Sequence, residues 1–275
     1  MKKLIAIITA TFILTLLASL YVDEAATNNG PRTILLTDRN TVSLNMPVNG
    51  ESASAVQNAL MEKASRLRAK DPIYLTLNSP GGSIFDGEKI IETAKGLPNK
   101  VHTISIFSAS MSFVISQYLS TRYVLDSGVM MSHRAYAEGL SGQVPGNLVT
   151  RTLGLLSSLN MMSSVIAQRA GMSLKAYNDL VQDELWMRGK QAVDLKFADE
   201  VVQVQCDRSL FGGQEPKVMT VMGFLKVKVT WAKCPLVVAP LNVEMPESGL
   251  SDREREDIYN VFYNRRAFLN AGKGQ

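Results

Sequence analysis

The chain has 275 residues, of which 46% are hydrophobic and 20% are charged. This composition excludes a disordered chain and a small scaffold held by disulfides or a metal, and it predicts one large domain with appendages. The formal net charge is +4, and without Lys2 and Lys3 the balance of 27 basic to 25 acidic residues is too even to indicate nucleic-acid binding.

Residues 1–26 are predicted to be a signal peptide or an N-terminal membrane anchor. Lys2 and Lys3 precede the uncharged residues 4–22, and a helix of that length nearly spans a bilayer core of about 30 Å. Small residues at the spacing of a cleavage site are hard to find near Ala18 or Ala26, so a cleaved segment and a retained anchor both stay open. Either way, the remaining chain is expected outside the cytoplasm.

The two cysteines, Cys206 and Cys234, agree with export. In an oxidising compartment, two cysteines most simply form a disulfide. A disulfide that closes the loop between Cys206 and Cys234 would stabilise the fold by roughly 3 to 4 kcal/mol. Two buried, unpaired thiols are the alternative.

From residue 33 onward, short apolar runs alternate with helical patterns, which predicts an α/β fold. Strands are predicted at residues 33–37, 73–77, 101–107, 123–125, 129–132 and 200–204, and helices at 52–68, 83–98, 111–119 and 147–171. Ser83 and Ser173 are predicted N-caps, and Gly171 is predicted to end the long helix. The many Leu and Met residues of that helix indicate core or subunit contacts rather than a ligand site.

The pattern beyond residue 206 predicts a small extension. Apolar residues alternate with Lys226 and Lys228, which is typical of a half-buried strand with a solvated basic face. Ser251 and Glu254 are spaced as a capping box at the start of a helix. The apolar face of this helix comprises Ile258, Phe262 and Leu269. It is predicted to dock on the domain or, alternatively, to contact another subunit.

Acyl-transfer chemistry needs a nucleophile, a base and donors for an oxyanion, and the sequence offers candidates for the first two. Ser110 lies where a strand meets a helix, beside free N–H groups and the positive end of the helix dipole, although a serine there is often only a cap. The chain has two histidines. His102 opens a strand and is expected to be structural, whereas His133 ends a strand beside a Gly-rich loop, where a base serving a cleft would lie.

These motifs resemble the proteolytic subunit of Clp protease, a family within the crotonase-like superfamily. The matching segments are Asn78-Ser79-Pro80-Gly81-Gly82 after a strand, Ala109-Ser110-Met111, Met130-Met131-Ser132-His133 and Glu184-Leu185-Trp186-Met187, in the family's order and spacing. The resemblance implies a crotonase-like fold of repeated β-β-α units. It places a peptidase domain at residues 27–205, followed by a C-terminal extension of strands and a helix at 206–275.

The resemblance also implies a serine endopeptidase that acts on polypeptides. Ser110 would be the nucleophile, and His133 would be the general base and then the acid. The N–H groups of Gly82 and Met111 would form the oxyanion hole, since a residue without Cβ allows close approach of the backbone. Neither a metal nor a cofactor is expected.

Two positions depart from the family pattern. The third member of the triad is an Asp in the family, whereas Glu184 holds its place here, with Asp183 just upstream as the alternative. Ser112 stands where the family usually has Gly, and it is expected to crowd the start of the helix. A catalytically inactive scaffold of the same fold therefore stays open.

The resemblance further implies a homo-oligomer. The loop with Gly139, Gly142 and Gly146 resembles the family's handle region, which pairs subunits and borders the substrate groove, although an ordinary loop is an equal alternative. Family members pair with cytoplasmic unfolding ATPases, a partnership that export makes doubtful. A signal-peptide-peptidase-like membrane protease is a further alternative, but it would need a Ser–Lys dyad, and no lysine can be assigned to that role.

Overall fold

The protein is described from a computed structural model that covers residues 30–135, 141–221, 225–246 and 249–263. The strands are β1 (Thr33–Leu36), β2 (Thr41–Leu44), β3 (Ile73–Ser79), β4 (Val101–Ala109), β5 (Arg122–Ser132), β6 (Leu185–Arg188), β7 (Glu200–Cys206), β8 (Lys217–Val221), β9 (Leu225–Thr230) and β10 (Asn242–Glu244). The helices are α1 (Gly50–Arg66), α2 (Ile84–Gly96), α3 (Met111–Tyr118), α4 (Asn147–Ala170), α5 (Leu174–Leu180), α6 (Gly189–Asp194) and α7 (Asp252–Tyr263). The predicted signal peptide or anchor lies outside the described residues.

The central feature of the described residues is a seven-stranded sheet in the order β1-β7-β5-β4-β3-β2, with β6 added alongside β5. Neighbours along this path run parallel, and β6 runs antiparallel to β5. Parallel neighbours require crossover connections, and the helices from α1 to α3 supply them between β2 and β5. This architecture confirms the predicted α/β fold.

Apolar side chains hold the helices onto the sheet. Ile73, Leu75 and Leu77 alternate along β3, and all three are fully buried in the cluster beneath α1, α2 and α3. Tyr74 points to the opposite face, where it packs against a second cluster. The period of two is the one that a strand imposes on its side chains. Each buried Leu or Ile contributes about 1.5 to 3 kcal/mol.

The helix ends follow the predicted caps with one exception. The Ser83 and Ser173 side chains accept hydrogen bonds from the N–H groups of Asp86 and Ala176, and Gly171 ends α4 with φ of 71°. Helix α1 begins two residues before the predicted start at residue 52. The reason is a capping box in which Asn49 caps the helix and Ser52 bonds back to the Asn49 N–H.

A single strand, β5, covers two segments that the sequence predicts as separate strands. Residues 123–125 and 129–132 were each expected to form a short strand, but both belong to β5. The pairing register with β4 shifts between Ser105 and Phe107, so a bulge explains the break in the apolar pattern. Strands β2, β6, β8 and β10, each of three to five residues, were not predicted individually.

The register brings the ends of three strands to one edge of the sheet. Ser79 at the end of β3 aligns with Ser108 on β4, and Ala109 at the end of β4 aligns with Met131 on β5. Residues that follow these parallel strands therefore emerge next to one another, at the edge where α/β proteins place their ligands.

The C-terminal extension forms a second, three-stranded antiparallel sheet in the order β10-β9-β8. Its inner face packs on α7 through the buried Ile258, while Lys226 and Lys228 are exposed as predicted. The Ser251 N–H and Oγ donate to Glu254 Oε2, and the Glu254 N–H donates to Ser251 Oγ, so the capping box is present. The side chain of Phe262 and the whole of Leu269 lie outside the described part.

A disulfide joins Cys206 at the end of β7 to Cys234 just after β9. The structure therefore has the predicted pairing rather than two free thiols. The bond ties the C-terminal sheet to the central sheet beside a cluster that includes Leu36 and Leu210. Among the helices in the described ranges, none is both long and apolar enough to cross a membrane.

Candidate active site

Ser110 occupies a strained turn between β4 and α3. Its backbone has φ of 53° and ψ of −123°, a region that residues with a Cβ rarely adopt. The Ser110 N–H donates to the Met131 carbonyl at 3.0 Å, which fixes the turn to β5. The hydroxyl makes no capping bond to the helix. The turn thus presents the hydroxyl outward at a helix N-terminus, where the helix dipole favours negative charge.

His133 follows β5 and faces this hydroxyl. Its Nε2 lies 2.7 Å from Ser110 Oγ, a hydrogen-bond distance. Burial of the half-exposed ring lowers the pKa of His133, and the negative charge of Glu184 raises it in part. The net pKa is below the ordinary 6.5, so the imidazole is neutral and able to accept a proton at neutral pH.

The glycine turn after β3 packs directly against the serine turn. A Cβ placed on Gly81 would lie 2.6 Å from Ser110 Cβ and 2.7 Å from Met111 N, distances at which atoms overlap. The Gly81 N–H donates to Ser79 Oγ. Within the described residues, the N–H groups of Gly82 and Met111 donate no hydrogen bond. Both predicted donors are therefore available to bind an oxyanion.

Gly81 and Ser79 are site residues that the sequence analysis did not assign. The Pro-Gly-Gly turn had directed attention to Gly82, whose Cβ would overlap the carbonyl oxygen of Val48. Gly81 is the residue that contacts Ser110, and its φ of 91° also favours glycine. Two consecutive glycines in the turn were the available signal for this role.

Glu184 and Asp183 are both exposed, but their surroundings differ. Glu184 is close enough for its charge to affect the His133 pKa. Its Oε2 accepts a hydrogen bond from Trp186 Nε1 at 3.0 Å; among described residues, it makes no hydrogen bond to the imidazole. Asp183 has neither a hydrogen bond nor an ion pair within the described ranges.

Ser112, which replaces the family's usual Gly, fits beneath α3. Its side chain is fully buried, and its Oγ lies 3.3 Å from Ser108 Oγ. Ser108 provides a polar partner for the added hydroxyl, so neither buried oxygen is left unpaired.

A cavity of about 330 Å³ opens beside Ser110 and His133. Its apolar wall includes Met111, Val114, Leu156, Leu159, Met162 and Ile166. Its polar end has Tyr177, whose hydroxyl lies 2.7 Å from Ser132 Oγ. The cavity can take up a large apolar side chain next to the reactive hydroxyl.

Helix α4 contributes both to this cavity and to the surface. Its C-terminal half is buried through residues such as Ile166 and Ala170, while Val149, Leu153 and Met161 are exposed. The predicted core contacts therefore apply to part of the helix, and the exposed apolar residues match the predicted subunit contact. Leu159 and Met162 also line the cavity beside Ser110, which the sequence analysis did not expect. In the preceding loop, Gly139 lies outside the described residues.

An α/β sheet edge that presents a serine hydroxyl, an imidazole and free N–H groups around an apolar cavity is typical of serine hydrolases. The profile of the Clp protease family matches residues 27–205, and the chain belongs to this family of peptidases.

Among its relatives is the ATP-dependent Clp protease proteolytic subunit of Streptococcus sanguinis (strain SK36). The two are 27% identical over 172 residues, which cover 62% of this chain and 87% of the relative. The protein of the same description from Streptococcus pyogenes serotype M5 (strain Manfredo) is 28% identical with the same coverage. The family match ends at residue 205 and thus leaves out the C-terminal sheet and α7.

Proposed function

We propose that the protein is a serine endopeptidase in which Ser110 attacks the scissile carbonyl and His133 serves as the base. The observation that carries this proposal is the 2.7 Å distance from Ser110 Oγ to His133 Nε2. The Ser110 backbone that presents this hydroxyl is strained. Because strain of this kind costs about 1 to 3 kcal/mol, it persists where the fold holds a residue for function.

The proposed reaction proceeds through an acyl-enzyme. The Ser110 hydroxyl gives its proton to His133 Nε2 as Oγ forms a bond to the carbonyl carbon. The oxyanion accepts hydrogen bonds from the Gly82 and Met111 N–H groups. The imidazolium then protonates the leaving amine, and the C–N bond breaks. Water, deprotonated by His133, then forms a bond to the acyl carbon, the ester bond to Ser110 Oγ breaks, and the imidazolium returns its proton to Oγ as the acid product leaves.

Glu184 is proposed as the acidic third member. Its negative charge stabilises the imidazolium that forms during each proton transfer, which is consistent with its effect on the pKa of His133. Asp183 is the alternative, but no described contact links its exposed carboxylate to the imidazole.

Labelling with a fluorophosphonate tests this proposal directly, since an activated serine Oγ displaces fluoride from the probe and forms a stable bond to phosphorus. We expect the purified full-length protein to take up one probe per chain, and Ser110→Ala to take up none. Ser108→Ala is the matched control, because Ser108 Oγ contacts Ser112 rather than His133, and it should label normally.

Two other functions correspond to other outcomes of that experiment. A folded wild-type protein that takes up no probe would be an inactive scaffold. The observation behind that alternative is that Glu184, among the described residues, makes no hydrogen bond to the imidazole. Labelling that survives His133→Ala but not a lysine substitution would indicate the Ser–Lys chemistry of a signal-peptide-peptidase-like protease. However, no lysine is among the described residues that line the cavity.

We further propose that the protein acts outside the cytoplasm, exported or anchored by residues 1–26, as a homo-oligomer that cleaves polypeptides without a cytoplasmic ATPase. The apolar residues 4–22 support export, and the exposed apolar side chains of α4, among them Val149 and Leu153, support assembly.

Export predicts an oxidised disulfide in the cell, because thiols in the cytoplasm are kept reduced. Cells would be treated with a thiol-blocking reagent before lysis, and the full-length protein would be analysed by mass spectrometry. We expect Cys206 and Cys234 to escape blocking until a reductant is added. Two blocked thiols in the unreduced sample would contradict export.

A further inference from the structure

Glu184 is an exposed carboxylate with an unusual backbone. Its φ of 69° is in the left-handed region, which turns the residue sharply between Asp183 and β6. An exposed glutamate samples several rotamers because each of its side-chain torsions is free, and holding it in one of them costs entropy. A group that must act on a neighbouring imidazole therefore needs a contact that fixes its carboxylate.

Trp186 provides that contact. Its indole Nε1 donates to Glu184 Oε2 at 3.0 Å, and a hydrogen bond to an ionised acceptor is stronger than one between neutral groups. Trp186 is 37% exposed, and two contacts locate its indole. The backbone of Trp186 pairs with Met131 of β5, and one face of the ring packs on Phe107 of β4 with ring centroids 6.4 Å apart. The donor therefore has fewer accessible positions than the glutamate side chain that it contacts.

The same strand that holds Trp186 leads to His133. Met131 is two residues before the imidazole, so β5 links the position of the indole to the position of the base. Among described residues, Glu184 is the charged group that shifts the pKa of His133. Glu184 is not among the described residues that line the cavity; Arg134 is the charged side chain there, and it is exposed.

We propose that Trp186 is a positioning residue, whose indole N–H holds the Glu184 carboxylate where its charge stabilises the protonated form of His133. This inference rests on the proposed function, because it assigns Trp186 a task in the same reaction. Trp186 itself touches neither substrate nor the reacting atoms in this role.

Trp186→Phe tests the inference, since phenylalanine keeps an aromatic ring against Phe107 and removes the donor. Loss of one charge-assisted hydrogen bond is expected to lower kcat roughly tenfold, with KM unchanged. The freed carboxylate no longer raises the pKa of His133, so the acid limb of the kcat profile should move to lower pH. Glu184→Gln should lower kcat at least as much, and the double variant should be no slower than Glu184→Gln alone.

Three outcomes would overturn the proposal. In the first, the losses from Trp186→Phe and Glu184→Gln add in the double variant, which indicates a separate structural role for the indole. In the second, Trp186→Phe raises kcat and moves the midpoint of the acid limb to higher pH. That result would indicate that the indole competes with the imidazole for Glu184. In the third, the matched control Asp183→Asn reproduces the loss and Glu184→Gln does not, which moves the acid to Asp183.

An NMR titration of His133 separates this inference from the proposed function. The chain has two histidines, so His102→Ala assigns the imidazole signals. Trp186→Phe should lower the pKa of His133 whether or not the protein turns over substrate. If Trp186→Phe lowers the pKa of His133 and the wild-type protein takes up no fluorophosphonate, the positioning role is supported and the peptidase is rejected. If the pKa is unchanged and the wild-type protein is labelled, the positioning role is rejected and the peptidase is supported.

Discussion

Replacing His133 with alanine is expected to reduce kcat by about 10⁴-fold or more while the fold is retained. The half-exposed imidazole is the group within hydrogen-bond distance of Ser110 Oγ, and without it the hydroxyl must attack with its proton still bound. The residual rate would come from the N–H groups of Gly82 and Met111, which act on the oxyanion and not on the nucleophile. Peptide hydrolysis and thermal unfolding would be measured on the same preparation.

The pH profile of the wild-type protein provides a second measurement of the same role. Because burial outweighs the charge of Glu184, the pKa of His133 lies below the ordinary 6.5. The acid limb of kcat/KM, which reports the free enzyme, should therefore have its midpoint below 6.5. Activity is retained above that midpoint and lost below it, since the protonated ring cannot accept the Ser110 proton.

His102 is the matched control for this experiment. It is the other histidine of the chain, its Nδ1 accepts a hydrogen bond from the Thr121 N–H, and its ring packs between Tyr74 and Tyr123. His102→Ala should retain normal turnover. If His133→Ala were as active as the wild-type protein, or if His102→Ala lost turnover without unfolding, His133 would not be the base.

The central strands and the candidate pair Ser110 and His133 could be predicted because their signals are local. Buried parallel strands are recognised from short apolar runs, as with Leu75 and Leu77 on β3. Once the strands are known, the residues that follow their carboxyl ends are expected at one edge, and this expectation brings Ser110, His133 and Gly82 together. The resemblance to the Clp family added the order of the motifs, which local patterns do not contain.

The remaining contacts depend on tertiary structure. The closeness of Gly81 to Ser110 arises between two turns that are distant in sequence, so no local pattern indicates it. The bond from Trp186 to Glu184 is made by a glutamate with a left-handed φ, a conformation that sequence statistics disfavour. Strand β6 is four residues long and exists because it pairs with β5. The start of α1 depends on the Asn49 side chain, whereas the prediction relied on hydrophobic spacing.

Asp199→Ala is expected to destabilise the fold by about 3 to 5 kcal/mol. The Asp199 carboxylate accepts hydrogen bonds from the Arg122 N–H at 2.7 Å and from Nε at 3.2 Å. The Arg122 side chain is only 4% exposed, and its Nη1 donates to Gln117. Removing the carboxylate leaves this guanidinium buried without its charge partner, where β5 begins and α3 ends.

The exposed ion pair between Lys190 and Asp194 supplies a control. Both side chains are more than half exposed, and pairs of this kind are worth about 1 kcal/mol or less. Asp194→Ala should therefore change the free energy of unfolding, measured by urea denaturation at neutral pH, far less than Asp199→Ala. Similar losses for the two variants would show that the pair of Arg122 and Asp199, whose carboxylate side chain is 35% exposed, contributes no more than a surface pair.

The pH dependence of the Asp199 effect follows from its carboxyl group. Burial raises the pKa of Asp199, but hydrogen bonds from Arg122 and the charges of Arg122 and Arg169 together lower it further, so the net pKa lies below the ordinary 3.8. Such a carboxylate stabilises the fold fully above its unfolded pKa, and this contribution is lost as the pH falls through the folded pKa. The difference in unfolding free energy between wild type and Asp199→Ala should thus be full at neutral pH and shrink below 3.8. A difference that stays constant across that range would mean that packing, and not the charged pair, links β5 to α3.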